Sequence, residues 1–513
     1  MTAAAGAASR HDVIVVGAGS AGCVLAARLS EDPSRQVLLL EAGPDYPTRE
    51  RLPLDIADGA RLPSDLGLGH DWHFTSVPSR PGGRAVPLPR GRVVGGSSAV
   101  NGTFALRGPA EDYDAWAAAG NDGWGSGDVL EAFRRLENDL DFGDRPWHGD
   151  AGPVPVRRYA AEEQSVSAAA FLEAAEKAGH RPVADHNEPG AVGAGPLPVN
   201  TLHRLRMSAA LSHLEPARTR PNLTVRGGAT VDRVEFEAGR VRGVRLVGGE
   251  RLNADLVVLA AGAYASPAIL LRSGIGPADE LRAHGLDVVS DLPGVGRNLV
   301  DHPLASVDVA VPPEPVQRPR YQTMVTWSSD GTDSPPDLHL FACGPFESDR
   351  VGGDERLLVL CVGLLDPAGR GQVQLSSSDP TVPPRIDPGH LGVPADADRL
   401  IAGIAAARRI LAAEPLASLA RGAELSPGPD LHGDALREAL PQLVRTYHHP
   451  VGTCRMGPVT DPGAVVDARG RLHSVDGLIV ADASIMPTVP RANTNLPTLM
   501  LAERLAGWLT RSG

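Results

Sequence analysis

"DVIVVGAGSAGCVLAARLSEDPSRQVLLLEAG", residues 12–43, carries the pattern on which the fold turns. Val13 to Val16 form an apolar run that stops at Gly17, as a buried parallel strand does. Ser20 to Leu29 read as a helix with Gly22, Val24, Leu25 and Leu29 available for packing, and Gln36 to Leu40 form a second apolar run ending at Glu41. Together these make a βαβ unit. Its turn, Gly17-Ala18-Gly19-Ser20-Ala21-Gly22, is a G-x-G-x-x-G placed between strand and helix. The first glycine permits the tight turn, the second lets backbone amides approach a pyrophosphate, and the third lets the helix close on the strand. Glu41 follows about twenty residues later, where a carboxylate can accept hydrogen bonds from ribose hydroxyls. The pattern predicts dinucleotide binding by Gly17, Gly19, Ser20, Ala21, Gly22, Glu41 and Ala42. It leaves open whether the dinucleotide is NAD or FAD.

The rest of the chain narrows the class. At 513 residues, 42% of them hydrophobic, it can bury two cores. The 62 acidic residues against 49 basic ones give a net charge of −13, which argues against nucleic acid or an anionic membrane as partner. Lys177 is the only lysine, a matter of base composition. Cys23, Cys343, Cys361 and Cys454 lie far apart with no C-x-x-C pair, so neither a metal site nor a disulfide framework is suggested. The opening MTAAAGAASRHD has no apolar core of the kind a signal peptide carries, and no apolar run reaches the ~18 residues needed to span a bilayer. The expectation is a cytoplasmic, soluble protein without a membrane span.

Residues 44–90 are rich in Pro, Gly and Arg and suit either a wrap over a bound ligand or a plain surface insertion. Helices are expected around Tyr113–Ala119, Val129–Leu136, Ala397–Ala413 and Leu499–Leu509. Strands are expected through 222–260 and at Leu338–Phe341, Leu357–Val362 and Val373–Leu375. The order fits an α/β nucleotide domain built from separate pieces of chain, with a mainly β second domain inserted between them.

Three further stretches add chemistry. "RGRVVGGSSAVNG", Arg90 to Gly102, is a second glycine-rich turn, with Ser97, Ser98 and Asn101 able to donate hydrogen bonds. "GAYASPAILLRSGIG", Gly262 to Gly276, couples a strand end to a helix expected to start at Ser266-Pro267, as N-cap and first-turn proline. "LIVADASIMPTVPRANTNLPTLMLAERLA", Leu478 to Ala506, ends a strand at Asp482 and sets Asn493, Thr494 and Asn495 directly before a helix.

With these motifs the chain resembles the glucose–methanol–choline (GMC) family of FAD-dependent oxidoreductases. Gly91–Gly108 fits that family's first signature and Gly262–Gly276 its second, and "PGVGRNLVDHP" (293–303), "YHHPVGTCRMG" (447–457) and the tail fall in the family's order. The likeness spans nearly the whole chain. It implies a Rossmann-like FAD-binding domain of residues 11–160, 196–305 and 441–513. The inserted substrate-binding domain, an antiparallel sheet with helices, takes residues 161–195 and 306–440. It also implies that the opening turn holds the ADP half of FAD. Val93, Gly96, Ser97, Asn101, Gly102 and Phe104 would then follow the pyrophosphate and flavin, and Val231 the adenine. Asp482 and Ala483 would sit by the pyrophosphate and ribityl chain, and Asn493, Thr494 and Asn495 by the flavin ring. Some members tether FAD through a His just before the Asn of the first signature; Val100 stands there in this chain, so dissociable FAD is expected. Ala105 occupies a place where many members have an aromatic residue.

By the same resemblance His449, in His449-Pro450-Val451-Gly452-Thr453, is the active-site base and Asn493 the second catalytic residue. Imidazole suits removal of a hydroxyl proton, flavin N5 takes the hydride, and the amide can donate to an oxygen gaining alkoxide character. His448 is a neighbouring decoy. His203, His213 and His302 are read as surface or satisfied core residues without a role, Trp72 and His73 as lid candidates, and Tyr447 as a pocket candidate. The expected function is oxidation of a primary, possibly aromatic, alcohol to an aldehyde, as in hydroxymethylfurfural oxidase-like and choline dehydrogenase-like members. Few aromatics in the insert (Tyr321, Trp327, Phe341, Phe346) disfavour a quaternary ammonium cage. The alternatives are a hydroxynitrile lyase or other redox-silent use of the same flavin fold, a choline-type dehydrogenase, a NAD enzyme or nucleotide-binding module, and a family member serving a peptide-derived redox cofactor. The electron acceptor, oxygen or a respiratory quinone-type molecule, is fixed by no motif.

Overall fold

A computed structural model describes residues 10–60, 69–80, 82–314, 316, 318–331, 334–420 and 424–511. Part of the 44–90 excursion (61–68 and 81) and most of the opening peptide lie outside them. The chain is an α/β protein built on two large sheets.

The first sheet has Arg10–Val16 at its centre, parallel to Val37–Leu40 on one side and Arg251–Leu259 on the other. Leu223–Arg226 extends it beyond Val37–Leu40, and Leu478–Val480 lies parallel to the end of Arg251–Leu259. Arg240–Leu246 and Val231–Glu237 add an antiparallel pair. The central strands are buried on both faces, which is why they read as unbroken apolar runs. Their carboxyl ends deliver Gly17, Glu41, Ala260 and Asp482 to one edge, the place where open α/β sheets take ligands.

The second sheet is antiparallel, in the order Arg445–Thr446, Pro303–Val311, Arg356–Leu364, Leu338–Phe346, Tyr321–Trp327 and Ala194–Pro196. Alternate residues divide between its faces. Leu340, Leu358, Leu360 and Val362 pack under the helices Val166–Lys177, Pro394–Leu411 and Gly433–Leu443. Phe341, Cys343, Val359 and Cys361 face the other way, with Phe104, Leu304 and Tyr447. The sheet therefore runs a few residues past 306–440 at both ends, because Pro303 and Leu304 pair with Thr446 and Arg445.

The helix expected to begin at Ser266 begins at Gly262 instead, and Pro267 lies inside it. A proline there removes the N–H that would bond the carbonyl of Ala263. Thr453 supplies the replacement, its hydroxyl donating to the Ala263 carbonyl at 2.7 Å. Ser266 is no cap: its hydroxyl donates to Asp482 Oδ2 at 2.6 Å.

A buried ionic cluster ties the first domain's outer segments to Asp185. Arg107 bonds Glu137, and Arg158 bonds Asp139 at 2.6 Å and Asp185 at 2.5 Å. His148 lies between Glu137 and Asp185, 2.8 Å from each. Glu137, Asp139 and His148 are close enough to hold a metal ion. The two guanidiniums already occupy those carboxylates, so the cluster is a charge-balanced strut.

Candidate active site

The two glycine-rich turns meet backbone to backbone. Gly95 N–H donates to the Ala18 carbonyl at 2.7 Å. Gly96 has φ +52°, and a Cβ there would stand 2.5 Å from the Gly19 Cα. Any larger residue would push the turns apart. Around them is a cavity of 540 Å³, within the range of about 300–1,000 Å³ typical of ligand sites. Ser20, Gly262 and Asn495, the first residues of three helices, all line it. Their N-termini supply partial positive charge suited to a pyrophosphate.

The cavity is lined by Gly17, Gly19, Ser20, Ala21, Glu41, Ala42, Gly96, Ser97, Asn101, Gly102, Phe104, Val231, Asp482, Ala483, Asn493, Thr494 and Asn495. Val100, aliphatic, lines it as well. Two expected residues stand back from it. A Cβ on Gly22 would meet the Gly17 carbonyl at 1.8 Å, so this glycine serves helix-to-turn packing. Val93 is fully buried against Ile56 and Ala99. Ser98 also turns inward, donating to the Gly95 carbonyl at 2.6 Å.

Glu41 accepts from the N–H groups of Ala18 (3.0 Å) and Gly43 (2.9 Å). Burial pushes its carboxyl up to about 7 against the pull of those amides. Asp482 spends its carboxylate on the protein, accepting from Gly262 N–H, Ser266 and Ser484 N–H. It shapes the cavity wall by clamping the Gly262 helix to the tail. Ser20 donates to Asn495 Oδ1 at 2.9 Å, joining the first helix to the last.

At the far end His449 and Asn493 meet, with 3.1 Å between His449 Nε2 and Asn493 Nδ2. His449 is held from behind: its backbone N–H donates to Asp301 Oδ1 at 2.8 Å, and Asp301 Oδ2 accepts from Thr446. Val300 and Val451 pair in the same ladder. Tyr447 packs on the imidazole with ring centroids 4.4 Å apart. Burial pushes His449 well below the ordinary imidazole range, helped by His302, His448 and Arg90 nearby. Burial thus favours its uncharged form. Among the described residues Asn493 Oδ1 is buried without a hydrogen-bond partner.

His302, set aside as a core residue on sequence grounds, belongs to this site. Its Nδ1 lies 3.0 Å from His449 Nδ1. The signal was "NLVDHP", a family stretch whose pairing with 446–451 no local pattern reveals. His448 is exposed toward the cavity with φ +70°. Trp72 and Tyr447 line the cavity, whereas His73 is exposed outside it. His70, Asp71, Phe74, Pro89 and Arg90 line it too, so a middle stretch and the far end of the 44–90 excursion wrap the site. His213 is buried in the core beside Ser212 and Glu503.

Phe104, Tyr321 and Phe341 form the wall opposite, packed edge to face at 5.1–5.8 Å. Leu304, Cys361 and Tyr447 complete it. Trp327 and Phe346 do not line the cavity; they pack against the sheet's two cores. The Gly19–Gly96 cradle at one end and the orphaned amide oxygen at the other fit a dinucleotide carrying a flat ring system.

Family models described as GMC oxidoreductase match residues 11–304 and 367–502. The chain is 40% identical to 5-(hydroxymethyl)furfural oxidase of Methylovorus sp. (strain MP688), over 96% of this chain and 98% of that protein. It is 36% identical to oxygen-dependent choline dehydrogenase 1 of Chromohalobacter salexigens, over 97% and 94%. Among solved structures, pyridoxine 4-oxidase from Mesorbium loti shares 35% of its sequence and superposes with a TM-score of 0.90, over 98% and 99%. A nucleotide cradle continuous with a His–Asn pair, and this likeness along almost the full chain, have one source: the chain belongs to the GMC family of FAD-dependent oxidoreductases.

Proposed function

We infer that the protein oxidises an uncharged, apolar or aromatic primary alcohol to the aldehyde, with FAD held non-covalently. The observation that carries this reading is the 3.1 Å His449–Asn493 pair at the apolar end of the nucleotide cavity. FAD, when bound, supplies the acceptor for the hydride leaving the carbinol carbon. His449, neutral and buried, accepts the hydroxyl proton at Nε2. Asn493 Nδ2–H then donates to the oxygen as it gains negative charge. The residues that hold the dinucleotide are those of the two glycine turns, Glu41, and the helix starts at Gly262 and Asn495. Val100 offers no nucleophile for a covalent bond, which supports dissociable FAD.

The wall of Phe104, Tyr321 and Phe341 supports the substrate class. These rings pack edge to face at interplanar angles of 68–81°, so part of each ring is spent on its neighbours, and a cation cage needs faces turned to the ligand. Among the described residues the acids lining the cavity are Glu41, Asp71 and Asp482. Glu41 and Asp482 are bonded to the protein at the nucleotide end, and Asp71 accepts from the Arg90 N–H at 2.8 Å.

Anaerobic mixing with a panel of alcohols tests the reading. Benzylic and furanic alcohols are expected to bleach the flavin absorbance, and choline to bleach it far more slowly. A flavin that stays oxidised with every alcohol would point to lyase-type use of the fold. Admission of air then separates oxygen from a quinone-type molecule as acceptor. Among the described residues no helix is long and apolar enough to cross a membrane. The four cysteines are free and buried, which supports a reducing, cytoplasmic location.

The electrostatics predict the acid limb of the rate. A depressed pKa keeps His449 in its basic form as pH falls through about 6.5, the ordinary imidazole value. The ratio kcat/KM is therefore expected to stay level between pH 8 and 6 and to fall only well below that. An acid limb with its midpoint at or above 6.5, measured by steady-state kinetics, would contradict a buried neutral base.

A further inference from the structure

His302 does not itself line the cavity, yet it holds the far side of the His449 imidazole. Two ring nitrogens 3.0 Å apart, Nδ1 of His302 and Nδ1 of His449, need one donor and one acceptor. Both rings are buried and held neutral, His302 pushed down to about 3 by burial. Each then carries a single proton, and the question is where.

The contact on the other side of His449 gives the answer. Asn493 presents its amide nitrogen, a donor, to His449 Nε2. A donor facing Nε2 requires a lone pair at that nitrogen, so the single proton of His449 sits on Nδ1 and the facing Nδ1 of His302 is the acceptor. The proton of His302 is then on its Nε2, which is buried without a hydrogen-bond partner among the described residues.

We propose that His302 is a positioning residue: by accepting Nδ1–H of His449, it fixes the tautomer in which Nε2 of His449 is the open base. The proposal deepens the reading of His449 as the base and rests on it. When the substrate O–H bond breaks and the proton joins Nε2, the imidazolium keeps its Nδ1–H in the same hydrogen bond, now charge-assisted. The antiparallel ladder supplies the geometry. Tyr447 N–H donates to the His302 carbonyl at 2.9 Å, and Asp301, the residue before His302, accepts from the backbone N–H of His449.

The direct test is the tautomer itself, read from ¹⁵N-histidine spectra of the FAD-loaded enzyme, with the His449 signals assigned by their loss in His449→Gln. A pyrrole-type Nδ1 and a pyridine-type Nε2 are expected; the reverse assignment in the wild-type enzyme overturns the proposal without any variant. In His302→Leu the Nε2–H tautomer is expected to become populated. Its kcat should fall about 10–100-fold, the usual cost of losing a partner that orients a functional imidazole, with binding of a competitive alcohol analogue little changed. His302→Asn, which returns an acceptor oxygen near the Nδ1 position, should recover most of the rate. A His302→Leu enzyme with full flavin absorbance, unaltered His449 tautomer and unaltered kcat also overturns it. The spectra answer whatever the substrate proves to be. Failure of the alcohol reading would instead show as an unbleached flavin with the expected tautomer in place.

Discussion

His449→Ala is expected to keep its FAD absorbance and to lose about 10²- to 10⁴-fold in kcat, the range for removing a general base. That is about 3–5 kcal/mol of transition-state stabilisation. FAD should stay because the imidazole lies at the catalytic end, away from the Gly19–Gly96 cradle and Glu41. The alanine leaves Asn493 Nδ2 without its 3.1 Å partner and His302 Nδ1 without its donor. Exogenous imidazole therefore has a prepared place and is expected to restore part of the rate. Stopped-flow reduction by the best alcohol checks the step directly. Unchanged reduction rates would remove His449 from the mechanism, and loss of FAD would show that the residue is structural.

The second large effect concerns stability. Arg107→Met is expected to destabilise the fold by about 3–5 kcal/mol, because it leaves Glu137 charged and buried without its guanidinium. Burial opposes charge on His148, but its hydrogen bonds to Asp185 and Glu137 outweigh burial and raise its pKa above the ordinary value. With the raised pKa on the folded side, His148 stabilises fully below about pH 6.5 and loses that contribution as pH rises through its folded value. Denaturant midpoints for the wild type should thus fall on the alkaline side of neutrality. His148→Gln should flatten that slope. A midpoint unchanged in Arg107→Met would mean that water reaches the cluster.

Legibility of the sequence followed the range of the interactions involved. The Ser20–Leu29 helix runs where its pattern says, and so do the strands on either side of it, since a strand's alternation and a helix's packing face are local properties. Ser266-Pro267 misled because it carries the local signature of a helix start. The chain starts the helix four residues earlier and repairs the proline's missing bond with Thr453, 190 positions away along the chain. Aromatics are sparse in the composition at 4%, yet Phe104, Tyr321, Phe341 and Tyr447 converge on one wall. Abundance does not report convergence. His302 went unread for the same reason: its partner is 147 residues distant, brought close by the pairing of Val300 with Val451.

Residues 12–43 and the family motifs were enough to determine a dinucleotide-binding α/β protein and to nominate His449 and Asn493, because turns, periodicities and motif order are written along the chain. Only the tertiary structure decided that burial disfavours charge on the imidazole, that the amide faces its Nε2, that a second histidine backs its Nδ1, and that aromatic rings converge on the opposing wall. Those properties arise from desolvation and from contacts across the antiparallel ladder, where the distances that matter are a few ångströms in space and scores of residues in sequence.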